Sequence, residues 1–252
     1  MLELGIITPS NGDMVSPLVV VQKGPRGQDG IRLAVDYSYL NSFTRHDPFP
    51  VGDTDSIMNR VGGAKLISTF DAACGYYQLL VRPEDIPLTA FFRDDGIFEF
   101  LRTPFGGQSC GSTFIRAIQQ ILKPIKGFTE AYVDDLILHT HVNGNNIFGA
   151  HLQQIKRFLQ RIKETGMTLK LRKCSFAHPE VKFCGKLVGS GGKRPDPAKV
   201  TAIQGIKPAR TKTEVRRLLG LIGFFRDHIP RYAEIARPLT DLTSKQVPTN
   251  VP

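Results

Sequence analysis

The feature that most constrains this chain is a pair of adjacent acids between two apolar runs, Tyr132-Val133-Asp134-Asp135-Leu136-Ile137-Leu138. Strand-prone residues on both sides of a polar centre predict an antiparallel hairpin with the carboxylates at its tip. A second run, Leu66-Ile67-Ser68-Thr69-Phe70, reads as a strand and also ends on an acid, Asp71. Taken singly, each acid has a bland explanation, because aspartates commonly mark turns and begin helices. A carboxylate at the end of a buried strand is nevertheless costly unless its charge is offset. Three of them brought to one place would repel one another, and divalent cations remove that problem. Hard oxygen ligands suit Mg²⁺, with Mn²⁺ as an alternative, and Mg²⁺ is typically held by one or two carboxylates plus substrate phosphates. Two such ions about 3.5–4 Å apart stabilise both the attacking and the leaving oxygens of an in-line phosphoryl transfer.

The rest of the pattern predicts an α+β chain. Residues 17–23 and 31–37 read as strands joined by the turn-rich Gly24-Pro25-Arg26-Gly27-Gln28-Asp29-Gly30. Glu99-Phe100-Leu101 precedes the turn Pro104-Phe105-Gly106-Gly107, and an amphipathic helix follows with Phe114, Ile115, Ile118, Ile121 and Leu122 on one face. A second helix carries Leu152, Ile155, Phe158, Leu159 and Ile162, with Gly166 as its stop. Short strands are predicted near 168–171 and 181–188. Beyond Gly191-Gly192 the chain becomes helical and basic. Asp196-Pro197 forms an N-cap and first-turn pair there, and Thr211-x-x-Glu214 a capping box ahead of Val215, Leu218, Leu219, Ile222 and Phe225. A domain boundary is placed near 190, and 245–252 reads as a loose polar tail.

Charge divides the chain. Residues 152–252 hold 21 Lys/Arg against 7 Asp/Glu, and residues 1–151 hold 12 against 16. One part is thus suited to a polyanion, or simply carries a solvated basic face, while the other concentrates carboxylates. An apolar content of 41% supports a buried core and argues against disorder. No apolar run approaches about 18 residues, so no membrane span is expected. The start, Met1-Leu2-Glu3-Leu4, lacks the features of a signal peptide. Four scattered cysteines form no C-x-x-C pair, and Cys174, His178 and Cys184 match no common zinc spacing. A reducing, intracellular setting is expected.

Val35-Asp36-Tyr37-Ser38-Tyr39-Leu40-Asn41 and Ser68-Thr69-Phe70-Asp71-Ala72-Ala73-Cys74-Gly75-Tyr76-Tyr77-Gln78 are followed by Thr89-Ala90-Phe91, Pro104-Phe105-Gly106 and the Tyr132–Asp135 motif. Lys173-Cys174-Ser175-Phe176, Phe183-Cys184-Gly185 and Leu218-Leu219-Gly220-Leu221-Ile222-Gly223-Phe224-Phe225-Arg226 complete the series. In order and spacing this set resembles the reverse transcriptases of gypsy-type LTR retrotransposons. Any one motif is weak, but the ordered set is specific and spans nearly the whole chain.

The resemblance implies a right-hand polymerase: fingers (1–46 and 79–109), an antiparallel-sheet palm (47–78 and 110–190, related to the split βαβ arrangement) and a helical partial thumb (191–245), then a tail (246–252). It implies an RNA-directed DNA polymerase acting on dNTPs and on an RNA or DNA template with a primer, in the cytoplasm, a retroelement particle or the nucleus. Asp71 and Asp134 would be the principal ligands of two Mg²⁺ ions, with Asp135 completing the cluster. Lys23 and Arg32 would hold the incoming triphosphate. Tyr76 would exclude a ribose 2′-OH, and Phe105 would touch nucleotide and template. Lys173 would protonate the pyrophosphate leaving group, and Phe183-Cys184-Gly185 would grip the primer. Lys212, Arg216, Arg217 and Arg226 would track the duplex backbone.

Several positions depart from the family pattern. Ser38 stands where Arg is usual, Cys74 where Ser is common, and Tyr77 where His or Trp is common. Gly107-Gln108-Ser109-Cys110-Gly111 replaces a Leu-x-Asn-Ala-Pro-like stretch, and Lys186 stands where His is usual. None removes a proposed metal ligand, although the glycines are expected to weaken the start of the helix at 112. The sequence therefore reads as a polyprotein fragment, from an active or a decayed element, with a tail arising from a frameshift or a fused gene model. A catalytically inactive nucleic-acid-binding remnant is the alternative, and another palm-fold nucleotidyl enzyme is a third reading.

Overall fold

The structure is a computed structural model that describes residues 1–22, 31–142, 144 and 146–244, without the side chains of 21–22 and 31–33. Lys23, the side chain of Arg32 and the tail lie outside the described residues.

The central element is a four-stranded antiparallel sheet in the order β7-β8-β4-β9, built from β4 (Leu66–Asp71), β7 (Thr129–Tyr132), β8 (Asp135–Thr140) and β9 (Ser175–His178). Strand alternation sends Phe70, Leu136 and Leu138 to one face and Ile67 and Ile137 to the other. The first face packs on α3 (Cys110–Leu122) and α4 (Ile147–Glu164) through Phe114, Ile118, Ile155 and Phe158. The second packs on α2 (Thr54–Val61) and on a meander of β10 (Glu180–Phe183), β11 (Lys186–Gly189) and β12 (Gly192–Pro195). Both faces are covered, which explains why β4 and β8 read as nearly continuous apolar runs.

A second layer joins distant segments. β1 (Ile7–Pro9) pairs with β6 (Gly96–Phe100), which pairs with β5 (Phe91–Arg93). Its core unites Ile7, Val35 and Tyr37 with Phe91, Phe98 and Phe100. β2 (Leu18–Gln22) and β3 (Ile31–Val35) form the expected hairpin, followed by the short α1 (Ser38–Phe43). The C-terminal part holds α5 (Pro197–Gln204), α6 (Lys212–Gly223) and α7 (Tyr232–Asp241). Asp196 caps α5 and Thr211 caps α6 as the sequence predicts, but Glu214 reaches back to the amide of Arg210 rather than to that of the cap residue. Among the described residues no helix is long and apolar enough to cross a membrane.

Three local expectations change. Leu152 and Leu159 on α4 are exposed, and the buried stripe runs His151, Ile155, Phe158, Ile162. His151 is admitted to the core because Ser68 and Thr140 hydrogen-bond its two ring nitrogens at 2.8 and 2.7 Å. The strand expected at 168–171 is a single bridge between Leu169 and Ala72, with the strand proper at 175–178. Leu171 is exposed and has no face to bury. Residues 192–195 extend the hairpin before any helix begins, tied by a bidentate ion pair from Arg194 to Glu180. Helix α3 starts at Cys110 and includes Gly111.

Candidate active site

The site grows from the register of the central sheet. Asp71, the last residue of β4, lies directly opposite Asp135, the first of β8. Directly paired residues put their Cβ atoms about 4.5–5.5 Å apart on one face. Asp134 occupies the two-residue turn between Tyr132 and Asp135, which are themselves paired. Val133, the other turn residue, has φ +57°, a left-handed conformation unusual for a β-branched side chain. Such strain, of order 1–3 kcal/mol, persists only where flanking structure over-determines it, here the β7–β8 ladder.

The carboxylates sense one another. Partial desolvation, followed by the charges of Asp134 and Asp71, raises the Asp135 pKa above the usual carboxylate range, and Lys173 works against that rise. Lys173 Nζ donates to Asp71 Oδ2 at 2.8 Å, and that bond, more than the surrounding negative charge, holds the ammonium pKa up. Lys173 thus occupies the position of a counter-cation. Among the described residues no group of three acid, imidazole or thiol side chains already forms a closed metal cage. The donor set still fits Mg²⁺, which needs one or two protein carboxylates and takes its other ligands from water and phosphate.

One wall of the site is aromatic. Tyr76 stacks on Phe114 with ring centroids 5.0 Å apart and meets Phe105 at 4.7 Å. Burial raises its phenol pKa, and the charge of Asp134 adds to the effect, which places the ring beside the acids. Gly75 makes this packing feasible, because a Cβ there would lie 2.7 Å from the Phe114 ring. The opposite wall is the hairpin turn at Cys184-Gly185, where both residues have positive φ, 46° and 77°, as a tight turn between twisted strands requires. Burial, then the charge of Asp135, pushes the Cys184 thiol pKa up to about 12. Asp71, Asp135, Lys173 and Phe183 line one cleft of about 430 Å³ together with His178 and Lys182.

The structure therefore brings together Asp71, Asp134, Asp135, Lys173, Tyr76, Phe105 and the 183–185 turn. Two supporting residues were not singled out from the sequence. Asn41 donates to the Gly106 carbonyl at 2.9 Å and accepts from the Gln108 amide at 2.8 Å, pinning the Phe105 turn to α1. Gln78 ties the segment after Asp71 to Thr168 by accepting its amide and donating to its carbonyl. Both lie inside the quoted motifs, but side-chain bonds to remote backbone leave no periodic signature.

Comparison with known proteins follows from this geometry. Residues 21–188 match the family described as Reverse transcriptase (RNA-dependent DNA polymerase). The chain is 34% identical over 246 residues to the Retrovirus-related Pol polyprotein from transposon opus of Drosophila melanogaster, covering 96% of this chain and 24% of that protein. It is 33% identical over 248 residues to the corresponding polyprotein from transposon gypsy of the same organism, covering 96% and 23%. The chain thus spans about a quarter of the length of these relatives. Among solved structures it resembles the foamy viral protease-reverse transcriptase dRH in complex with ds DNA, with a TM-score of 0.88 and 25% identity over 100% of this chain and 43% of that one. The fold is that of a right-hand polymerase, and the chain belongs to the reverse transcriptase (RNA-dependent DNA polymerase) family.

Proposed function

We propose that this chain is the polymerase module of a retroelement Pol polyprotein and adds dNTPs to a primer 3′-OH on an RNA or DNA template. The observation that carries this reading is the register of Asp71 opposite Asp135, with Asp134 on the strained turn beside them. Asp71 and Asp134 would hold two Mg²⁺ ions, or Mn²⁺ in their place, with Asp135 completing the acidic set. When bound, the ions offset negative charge developing on the attacking and leaving oxygens. Lys173 neutralises Asp71 before substrate arrives, and its ammonium is then free to serve the pyrophosphate leaving group. Lys23 and Arg32 would bind the triphosphate, and Phe183-Cys184-Gly185 would hold the primer end. Residues 1–46 and 79–109 act as fingers, 47–78 and 110–190 as palm and 191–245 as thumb. The thumb's basic helices begin at Pro197, with Lys212, Arg216, Arg217 and Arg226 toward the duplex backbone. The module would work in the cytoplasm, in the element's particle or in the nucleus.

The test is primer extension on an RNA template with Mg²⁺ and dNTPs, beside an Asp134→Asn/Asp135→Asn control. Extension by the wild type that vanishes in the control is the expected result. A folded wild type that binds primer–template and extends nothing overturns the proposal.

Tyr76 carries a second expectation. A ring beside the carboxylates and Phe105 would crowd a 2′-hydroxyl, the group that separates RNA from DNA. Tyr76→Ala should reduce discrimination against rNTPs by about tenfold to a hundredfold, a span usual for steric rejection of one hydroxyl, while Tyr76→Phe keeps it. Unchanged discrimination in single-nucleotide extension by the Ala variant would make Tyr76 a packing residue alone.

A further inference from the structure

Lys186, the first residue of β11, is only 6% exposed. A buried ammonium survives only with partners. The nearest partner is Asp55 on the first turn of α2, whose Oδ1 accepts from Lys186 Nζ at 2.9 Å. Beyond it the ammonium faces the C-terminal helices. Asp227 Oδ2 lies 3.9 Å away, and the Phe224 ring centroid 5.4 Å away. Lys199 of α5 lies over the same ring at 4.5 Å. Gly185, directly before Lys186, touches this assembly: a Cβ there would lie 2.5 Å from Lys199 Nζ and 3.4 Å from the Phe224 ring. One side chain thus joins α2, the 183–185 turn and the segment that follows α6.

A charge in this position acts differently from a surface ion pair. With Lys186 removed, Asp55 keeps a weaker neighbour in Lys193 at 3.7 Å, whereas the ion pair left to Asp227 among the described residues is a 3.8 Å contact with exposed Arg226. The loss therefore falls on the contact between the C-terminal helices and the turn, rather than on the central sheet.

We propose that Lys186 is a positioning residue that docks the thumb onto the primer-grip turn and thereby sets how long a primer–template duplex stays bound. The proposal rests on the polymerase reading above.

The experiment compares Lys186→Met with Lys186→Arg in the full chain, by two readouts. The first is amide hydrogen exchange over 224–229 without nucleic acid. The second is dissociation of a fluorescent DNA hairpin primer–template from folded protein. Lys186→Met should accelerate both by about tenfold, less than breaking a fully buried charge pair would give because Asp227 is partly exposed, and Lys186→Arg should restore both to within a few-fold. Combining Lys186→Met with Asp227→Asn should add little to either, because the two residues share one contact. Unchanged exchange at 224–229 in Lys186→Met overturns the docking role. Faster exchange with unchanged duplex dissociation overturns the link to duplex residence. If the wild type binds no duplex, the polymerase reading fails, while the exchange arm still decides the docking contact.

Discussion

Asp71→Asn should lower the rate of nucleotide addition by roughly 10²–10³-fold, the scale lost when one group that stabilises transition-state charge is removed, and it should not lower thermal stability. Asp71 sits directly across from Asp135, and its charge helps to raise the Asp135 pKa. Removing one like charge relieves that repulsion. The lost bond to Lys173 lies at a half-exposed ammonium, where ion pairs contribute little. A melting temperature equal to or above that of the wild type, together with strongly slowed extension, is therefore expected. The Asp135 carboxyl should also titrate closer to its ordinary range. A variant that extends primers normally would remove Asp71 from the proposed metal set, and one that unfolds would show that its role in the sheet outweighs its role in chemistry.

The second large effect concerns pH. His139 on β8 is buried, and among the described residues neither ring nitrogen has a hydrogen-bond partner. Burial, reinforced by His141, lowers its pKa from 6.5 to about 4, while Glu130 acts weakly in the other direction. In the unfolded chain His139 takes up its proton as pH falls through about 6.5, whereas the folded protein resists until about 4. The neutral ring's contribution is thus fully present above about 6.5 and is lost as pH falls toward 4. At 1.36 kcal/mol per unit, the loss is about 3 kcal/mol. His151 and His228 are lowered in the same direction, and carboxylates titrate at the lower end of this range. The measurement is therefore a difference: urea unfolding from pH 7.5 to 4 for the wild type and for His139→Leu. The leucine variant should show a flatter slope, since position 139 pairs with Ile67 and tolerates an apolar side chain. Parallel slopes would mean that water reaches the ring and removes the penalty.

What the sequence made legible followed from periodicity and from motif order. The strand ending at Asp71, the Asp134-Asp135 hairpin and the buried face of α3 announce themselves because apolar residues recur at the spacing of their element. The carboxylate pair needed register as well, which the apolar pattern of the two strands specifies. The α4 face was misread because its buried stripe includes a histidine, satisfied by two hydroxyls distant in sequence. β12 escaped because Gly-Lys-Arg-Pro carries no apolar alternation, and its place is set by backbone pairing with β11 and by Arg194. Lys186 reads as a surface lysine until Asp55, far away in the chain, is folded against it. The motifs named the residues of the candidate site, but the residues that hold them in place are polar, and their partners cannot be read from spacing.

The position of β4 in its sheet has a consequence for biosynthesis. It is an interior strand, yet both of its neighbours, β8 and β9, emerge later from the ribosome. The Ser68 hydroxyl waits 109 residues for the Ala177 amide that closes β9 against it. At a synthesis rate of about 5–20 residues per second, that is about 5–20 s during which an apolar strand has no partner on that edge. For that interval Leu66–Phe70 is the segment most exposed to self-association or to chaperone capture, so the strand that carries the first aspartate is also the one whose safe folding depends most on the chain behind it.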